Sequence, residues 1–82
     1  MLNKFWFAIG QGLDAHEIRD DVGVDLRNLT RRAYQDSGSD DLRRLRRHVT
    51  DLRGKVETRK REGAITPHRA AELNLILGQA GI

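Results

Sequence analysis

The strongest constraint on this chain is a heptad-like run in its centre. Leu42, Leu45, Val49, Leu52 and Val56 recur at spacings of 3, 4, 3 and 4, which places them on one side of an α-helix. Opposite charges four residues apart decorate the rest of that helix, at Asp40–Arg44, Arg47–Asp51, Asp51–Lys55, Arg53–Glu57 and Glu57–Arg61. Each such pair adds about 0.2–0.5 kcal/mol. Ser39 is placed to cap the helix, with Asp40 and Asp41 in the first turn where the dipole favours negative charge. Gly63, after Arg59, Lys60 and Arg61, is placed to stop it. The expected span is residues 39–62. Gly54 falls on the outer side of this helix and leaves the seam intact.

The flanking segments also read as helices. Leu2, Phe5, Trp6, Ile9 and Leu13 form one face, with Phe7 off it and Gly10 and Gly12 weakening the end. Phe5 and Trp6 are expected in the core. Thr66 and Pro67 have the form of an N-cap followed by Pro at the first helical position. The helix they start carries a wide apolar face from Ala70 to Leu77, which suggests burial between two others. The link of residues 63–65 is short, so residues 39–62 and 66–78 should form an antiparallel hairpin.

Residues 14–35 admit two readings. Asp14-Ala15-His16-Glu17 has the form of a capping box, and Asp25 after Gly23 has the form of a second cap. The segment is either two short helices with a turn at residues 23–25, which we prefer, or one helix containing a glycine. Asp36-Ser37-Gly38 reads as a turn. No segment alternates apolar and polar residues as a strand does, and no internal repeat is evident. The expectation is a single all-α domain over residues 1–82, a small bundle of three to five helices.

Composition sets the class. The 82 residues carry 15 Lys and Arg against 12 Asp and Glu, and no Cys. A chain of this length buries only ~60–65% of its unfolded surface, so self-association is a natural outcome. Disulfide and thiolate metal sites are excluded. No apolar run approaches ~18 residues, and residues 5–9 are too short for a signal peptide, so the expectation is a cytoplasmic protein without a membrane partner. His16, His48 and His68 lack ligand spacing, Ser37 and Ser39 lack an activating neighbour, and Gly10-Gln11-Gly12 lacks a phosphate-loop context. We therefore expect no enzyme activity, no metal and no cofactor. An apolar N-terminal helix with Lys4 as its one cation gives little hold on anionic lipid.

Charge is uneven along the chain. Residues 14–25 hold Asp14, Glu17, Asp20, Asp21 and Asp25 against Arg19, whereas residues 42–61 hold seven Arg and two Lys against Asp51 and Glu57. Arg43, Arg44, Arg46, Arg47 and Arg53 give the third helix a guanidinium surface suited to phosphate. A solvated charged face uses the same residues, as does pairing of Asp20 and Asp21 with the chain's own basic third helix, or of the acidic segment of one chain with the basic helix of another.

Ile18, Val22, Gly23, Val24 and Leu29 match the inward positions around a turn glycine. On that pattern residues 15–35 resemble the helix-turn-helix of DNA-binding regulators. The resemblance implies that the second helix presents Arg27, Asn28, Arg31 and Arg32 to base edges or phosphates. Arg19 and Arg32 stand where the motif has a small and an apolar residue.

The expected function is that of a small nucleic-acid-binding regulator or accessory factor, of the kind found in phages, plasmids and bacterial operons. The alternative is a non-enzymatic interaction module, an oligomeric adaptor or an inhibitor of a protein partner. It predicts an exposed apolar patch at Phe7 or the Leu75–Leu77 ridge. The heptad seam serves either the chain's own core or a homodimer.

Overall fold

A computed structural model describes residues 2–36 and 42–79. They form four helices: α1 (Leu2–Asp14), α2 (Asp20–Asp36), α3 (Leu42–Arg61) and α4 (Pro67–Gly78). The helices run up and down around a square, with α1 on α2 and α4, and α3 on α2 and α4. The body is elongated, 35 × 18 × 17 Å. The expected all-α bundle and its C-terminal antiparallel hairpin are both present.

The core is the union of the four apolar faces. Phe5, Ile9, Leu26, Val56, Leu73 and Leu77 are fully buried, and Leu52 and Ile65 nearly so. Val49, Leu52 and Val56 thus use their part of the heptad seam inside the chain. Leu45 packs at its edge. Gly54 lies on the outer side of α3 with open space around it. The expected cap at Ser39, Asp40 and Asp41 and the turn at Ser37 and Gly38 lie outside the described residues.

At the other end of α3 the sequence reading holds. Gly63 takes a φ of 79°. The Ala64 and Gly63 N–H groups donate to the Arg59 and Lys60 carbonyls, at 2.9 and 3.0 Å. This is a Schellman cap, in which a left-handed residue lets the last carbonyls be satisfied. Thr66 caps α4, its Oγ1 accepting from the Arg69 N–H at 3.2 Å, with Pro67 following.

The first half of the chain departs from expectation in three ways. First, α1 spans Leu2–Asp14, close to the Leu2–Leu13 expected, but its end is not the start of a capping box. It ends in a second Schellman cap, with His16 at φ 58° and the Glu17 and His16 N–H groups donating to the Gly12 and Leu13 carbonyls. Asp14 therefore closes α1 and does not cap α2, and the expected capping box is absent.

Second, α2 is one continuous helix from Asp20, with no turn at residues 23–25. Gly23 serves close packing: a Cβ there would meet the Leu13 side chain, 2.8 Å from Cγ. The helix-turn-helix geometry is thereby lost.

Third, the two hairpins repeat one design. Ile18 and Ile65, each two residues beyond the left-handed cap residue, pair in an antiparallel bridge. The Arg19 N–H donates to the Ala64 carbonyl at 2.8 Å, and the Thr66 N–H to the Glu17 carbonyl at 2.9 Å. The offset that superposes these two isoleucines also matches Leu2 with Val49, Phe5 with Leu52, Ile9 with Val56 and Leu26 with Leu73. All eight are buried.

A side-chain clasp reinforces the bridge. The Arg69 guanidinium, buried at the start of α4, donates through Nη2 and Nε to Glu17 Oε1 at 2.8 and 3.2 Å. Its Nη1 lies 2.7 Å from Glu72 Oε2.

Candidate nucleic-acid interface

The alternation of helix direction sorts charge along the bundle axis. The bridge end holds the α1–α2 and α3–α4 loops, where Asp14, Glu17, Asp20, Asp21, Glu57 and Glu62 stand among Arg19, Arg59, Lys60, Arg61 and Arg69. The far end holds the start of α1, the second half of α2, the first half of α3 and the end of α4. Residues 27–36 and 42–53 therefore share the far half, where eight Arg face Asp36 and Asp51 alone in those two segments.

Near the bridge end the acids stay close to home. The Arg19 guanidinium donates to Asp21 through Nε at 2.6 Å and holds that carboxyl below its ordinary value. Asp21, in the first turn of α2, thus pairs with the residue just before its own helix. At the end of α3, Lys60 pairs with Glu57 and Arg59 with Glu62, at 3.4 and 2.8 Å.

The nine expected contact residues have distinct surroundings. Arg27 is half-buried, its guanidinium 4.8 Å from the centroid of the Trp6 ring. Its Nη2 donates to the Trp6 carbonyl at 3.5 Å. Gly10 makes room for it, since a Cβ there would overlap Nη2. Arg27 is therefore part of the α1–α2 packing. Arg31, one turn on, is exposed and lies 5.5 Å from the same ring. Both are cation–π contacts of ordinary length. Asn28 is exposed on the outer side of α2.

Arg32 turns the other way. With Gln35, Asp36 and His48 it lines a groove between α2 and α3. Asp36 organises that groove. Its Oδ2 bonds the His48 Nε2 at 2.8 Å, and its Oδ1 accepts from Arg44 Nη1 at 3.5 Å. The His48 bond, then the Arg44 charge, lowers the Asp36 carboxyl below its ordinary value. Arg43, Arg46 and Arg47 are exposed. Arg53 is exposed and reaches the C-terminal end of α4, where Nη2 lies 3.3 Å from the position of a Cβ on Gly78.

The cations thus share one half of the molecule but wrap around it. Arg31 faces the α1 side, Arg32 and Arg44 the α2–α3 groove, and Arg53 the α4 side. A flat docking face built from all nine is not what the fold presents.

Two aromatics missing from the expected site complete this half. Trp6, expected in the core, is half-buried and lines a cleft of about 220 Å³ together with Leu2, Asn3, Thr30, Arg31, Tyr34 and Gln35. Tyr34 is 60% exposed. The available signal was the four-residue spacing of Arg27 and Arg31, which only the α1–α2 register brings over Trp6.

A further groove, between α1 and α4, is lined by Asn3, Lys4, Gln11 and Glu72 as well as by apolar side chains. Phe7 is 66% exposed and lines it with Ala8, Gln11 and Ile76. Leu75 is 65% exposed on α4, whereas Leu77 is fully buried, so the expected Leu75–Leu77 ridge reduces to Leu75.

Among the described residues no group of His and carboxylates is placed to hold a metal, and no helix is long and apolar enough to cross a membrane. Comparison with protein-family models, with curated proteins and with solved structures finds no match to this chain.

Proposed function

We propose that the chain is a small nucleic-acid-binding protein that grips phosphates with the arginine-rich half of its bundle. The supporting observation is the antiparallel packing of α2 on α3, which gathers Arg31, Arg32, Arg44, Arg46 and Arg47 at the end away from the bridge loops, where acids and cations are mixed and paired. Guanidinium groups suit phosphate because their planar fork donates two parallel hydrogen bonds. On this reading Arg27 is a support residue, held by Trp6, and contacts no phosphate itself.

The test is binding of labelled single-stranded and duplex oligonucleotides at ~50 and ~200 mM salt. Four phosphate contacts predict a loss of roughly 100-fold across that range. Reversing charge at Arg43, Arg44, Arg46 and Arg47 to Glu should abolish binding while leaving the helical circular dichroism unchanged. Absence of binding at ~50 mM salt would refute the proposal.

One observation favours a second reading, an interaction module for a protein partner. Phe7 and Leu75 are large apolar side chains left mostly in water on the α1 and α4 side. Light scattering, and loss of a partner on Phe7→Ser and Leu75→Ser substitution, would support that reading.

A further inference from the structure

We infer that the α1–α2 cleft at the arginine-rich end takes one unpaired nucleobase, stacked on Tyr34, so that the preferred target is a single strand. The inference rests on the proposed phosphate grip and adds the form of nucleic acid to it.

Three features of the cleft fit a base. It offers an aromatic ring that is 60% exposed, Tyr34, at its rim. It offers two amide side chains, Asn3 and Gln35, among its lining. Each presents both a donor and an acceptor, which is what the edge of a base requires. And it includes Arg31, whose guanidinium carbon lies 5.5 Å from the centroid of the Trp6 ring. At about 220 Å³ the cleft is below the ~300–1,000 Å³ usual for drug-sized ligands and suits one planar ring system.

The layout of the cations points the same way. Arg31 and Arg32 are adjacent in sequence yet face opposite edges of α2, Arg31 beside Trp6 and Arg32 in the groove with Asp36 and His48. A stiff duplex meets one face of a body 17–18 Å across. A single strand bends around it and follows cations from one edge to the next. Basic grooves with aromatic platforms are the common solution for single strands, because every base has a face to stack.

Trp6 is the sole tryptophan, so its fluorescence reports on the cleft directly. The experiment titrates the full chain with a ten-nucleotide oligothymidylate, with a ten-unit abasic strand of equal phosphate count, and with a ten-residue poly-glutamate. We expect the oligothymidylate to bind on the order of 10-fold more tightly than the abasic strand and to change Trp6 emission. Tyr34→Ala should bring the oligothymidylate down to the abasic level, and Tyr34→Phe should restore the difference. Because Tyr34 is largely exposed, its removal should leave the thermal melt in place.

Equal binding of the two strands by the unaltered chain would overturn the base site while leaving the phosphate grip intact. Binding of neither strand would overturn both. Poly-glutamate binding as tightly as oligothymidylate would reassign the cleft to acidic peptide.

Discussion

Replacing Glu17 by Ala should destabilise the chain by about 2 kcal/mol, because it strips a buried guanidinium of its main partner. The Arg69 side chain is 10% exposed and that of Glu17 is 22% exposed. Breaking one partner of a fully buried ion pair costs ~3–5 kcal/mol. Two circumstances reduce that figure here. Glu17 retains some water, and the Glu72 carboxylate still offers its charge 2.7 Å from Nη1 of Arg69. For a domain of this size, ~1 kcal/mol moves the melting temperature by ~4–8 °C, so the expected drop is about 8–16 °C. The assay is thermal and urea unfolding of Glu17→Ala, Arg69→Met and the double variant. Coupling between the two sites should reach at least 0.5 kcal/mol, the usual floor for residues in direct contact. Asp14→Ala is the control. As an N-cap it would be worth ~1 kcal/mol; as the exposed last residue of α1 it should change stability by no more than ~0.5 kcal/mol. A Glu17→Ala loss below that same value, with a larger loss at Asp14, would refute the clasp and restore the capping box.

Three further perturbations probe the helices and their ends. Gly54→Ala adds a methyl group into open space on the outside of α3 and should raise stability by ~1 kcal/mol, read as a higher melting temperature. Gly63→Ala also meets open space, but its φ of 79° should cost ~1–2 kcal/mol by the same measurement. Asp36→Asn should flatten the acid limb of the stability–pH curve. The Asp36 carboxyl titrates below its ordinary 3.8 in the folded state, so its contribution is in place above that value and lost as pH falls beneath it.

Local signals were legible wherever the partner was near in sequence. The Thr66–Pro67 start of α4, the Gly63 stop and the Val49, Leu52 and Val56 face all needed only a few residues to read. Misreadings arose where a residue's reason lies on another helix. Gly23 looks like a break because the flexibility of glycine is visible in sequence, and the Leu13 side chain packed over it is not. Glu17 looks like the third residue of a capping box because its partner, Arg69, is 52 positions away. The hairpin repeat is faint in the sequence because the matched core pairs share apolar character, and of them only Ile18 with Ile65 and Leu26 with Leu73 share identity. The charge imbalance was plain, yet its placement was not. Only the alternating helix directions reveal that the arginines of α2 and α3 occupy one end, and only the α1–α2 register places Arg27 on Trp6.

The most direct test of the phosphate grip is a residue-by-residue map of where an oligonucleotide lands. Backbone amide shifts of the labelled protein, followed during titration with a ten-nucleotide single strand at ~50 mM salt, provide it. The account predicts that the shifted amides cluster in residues 27–36 and 42–53, with Asn3 and Trp6 beside them. Shifts confined to the bridge loops at residues 15–19 and 62–66, or to the surface around Phe7 and Leu75, would contradict it.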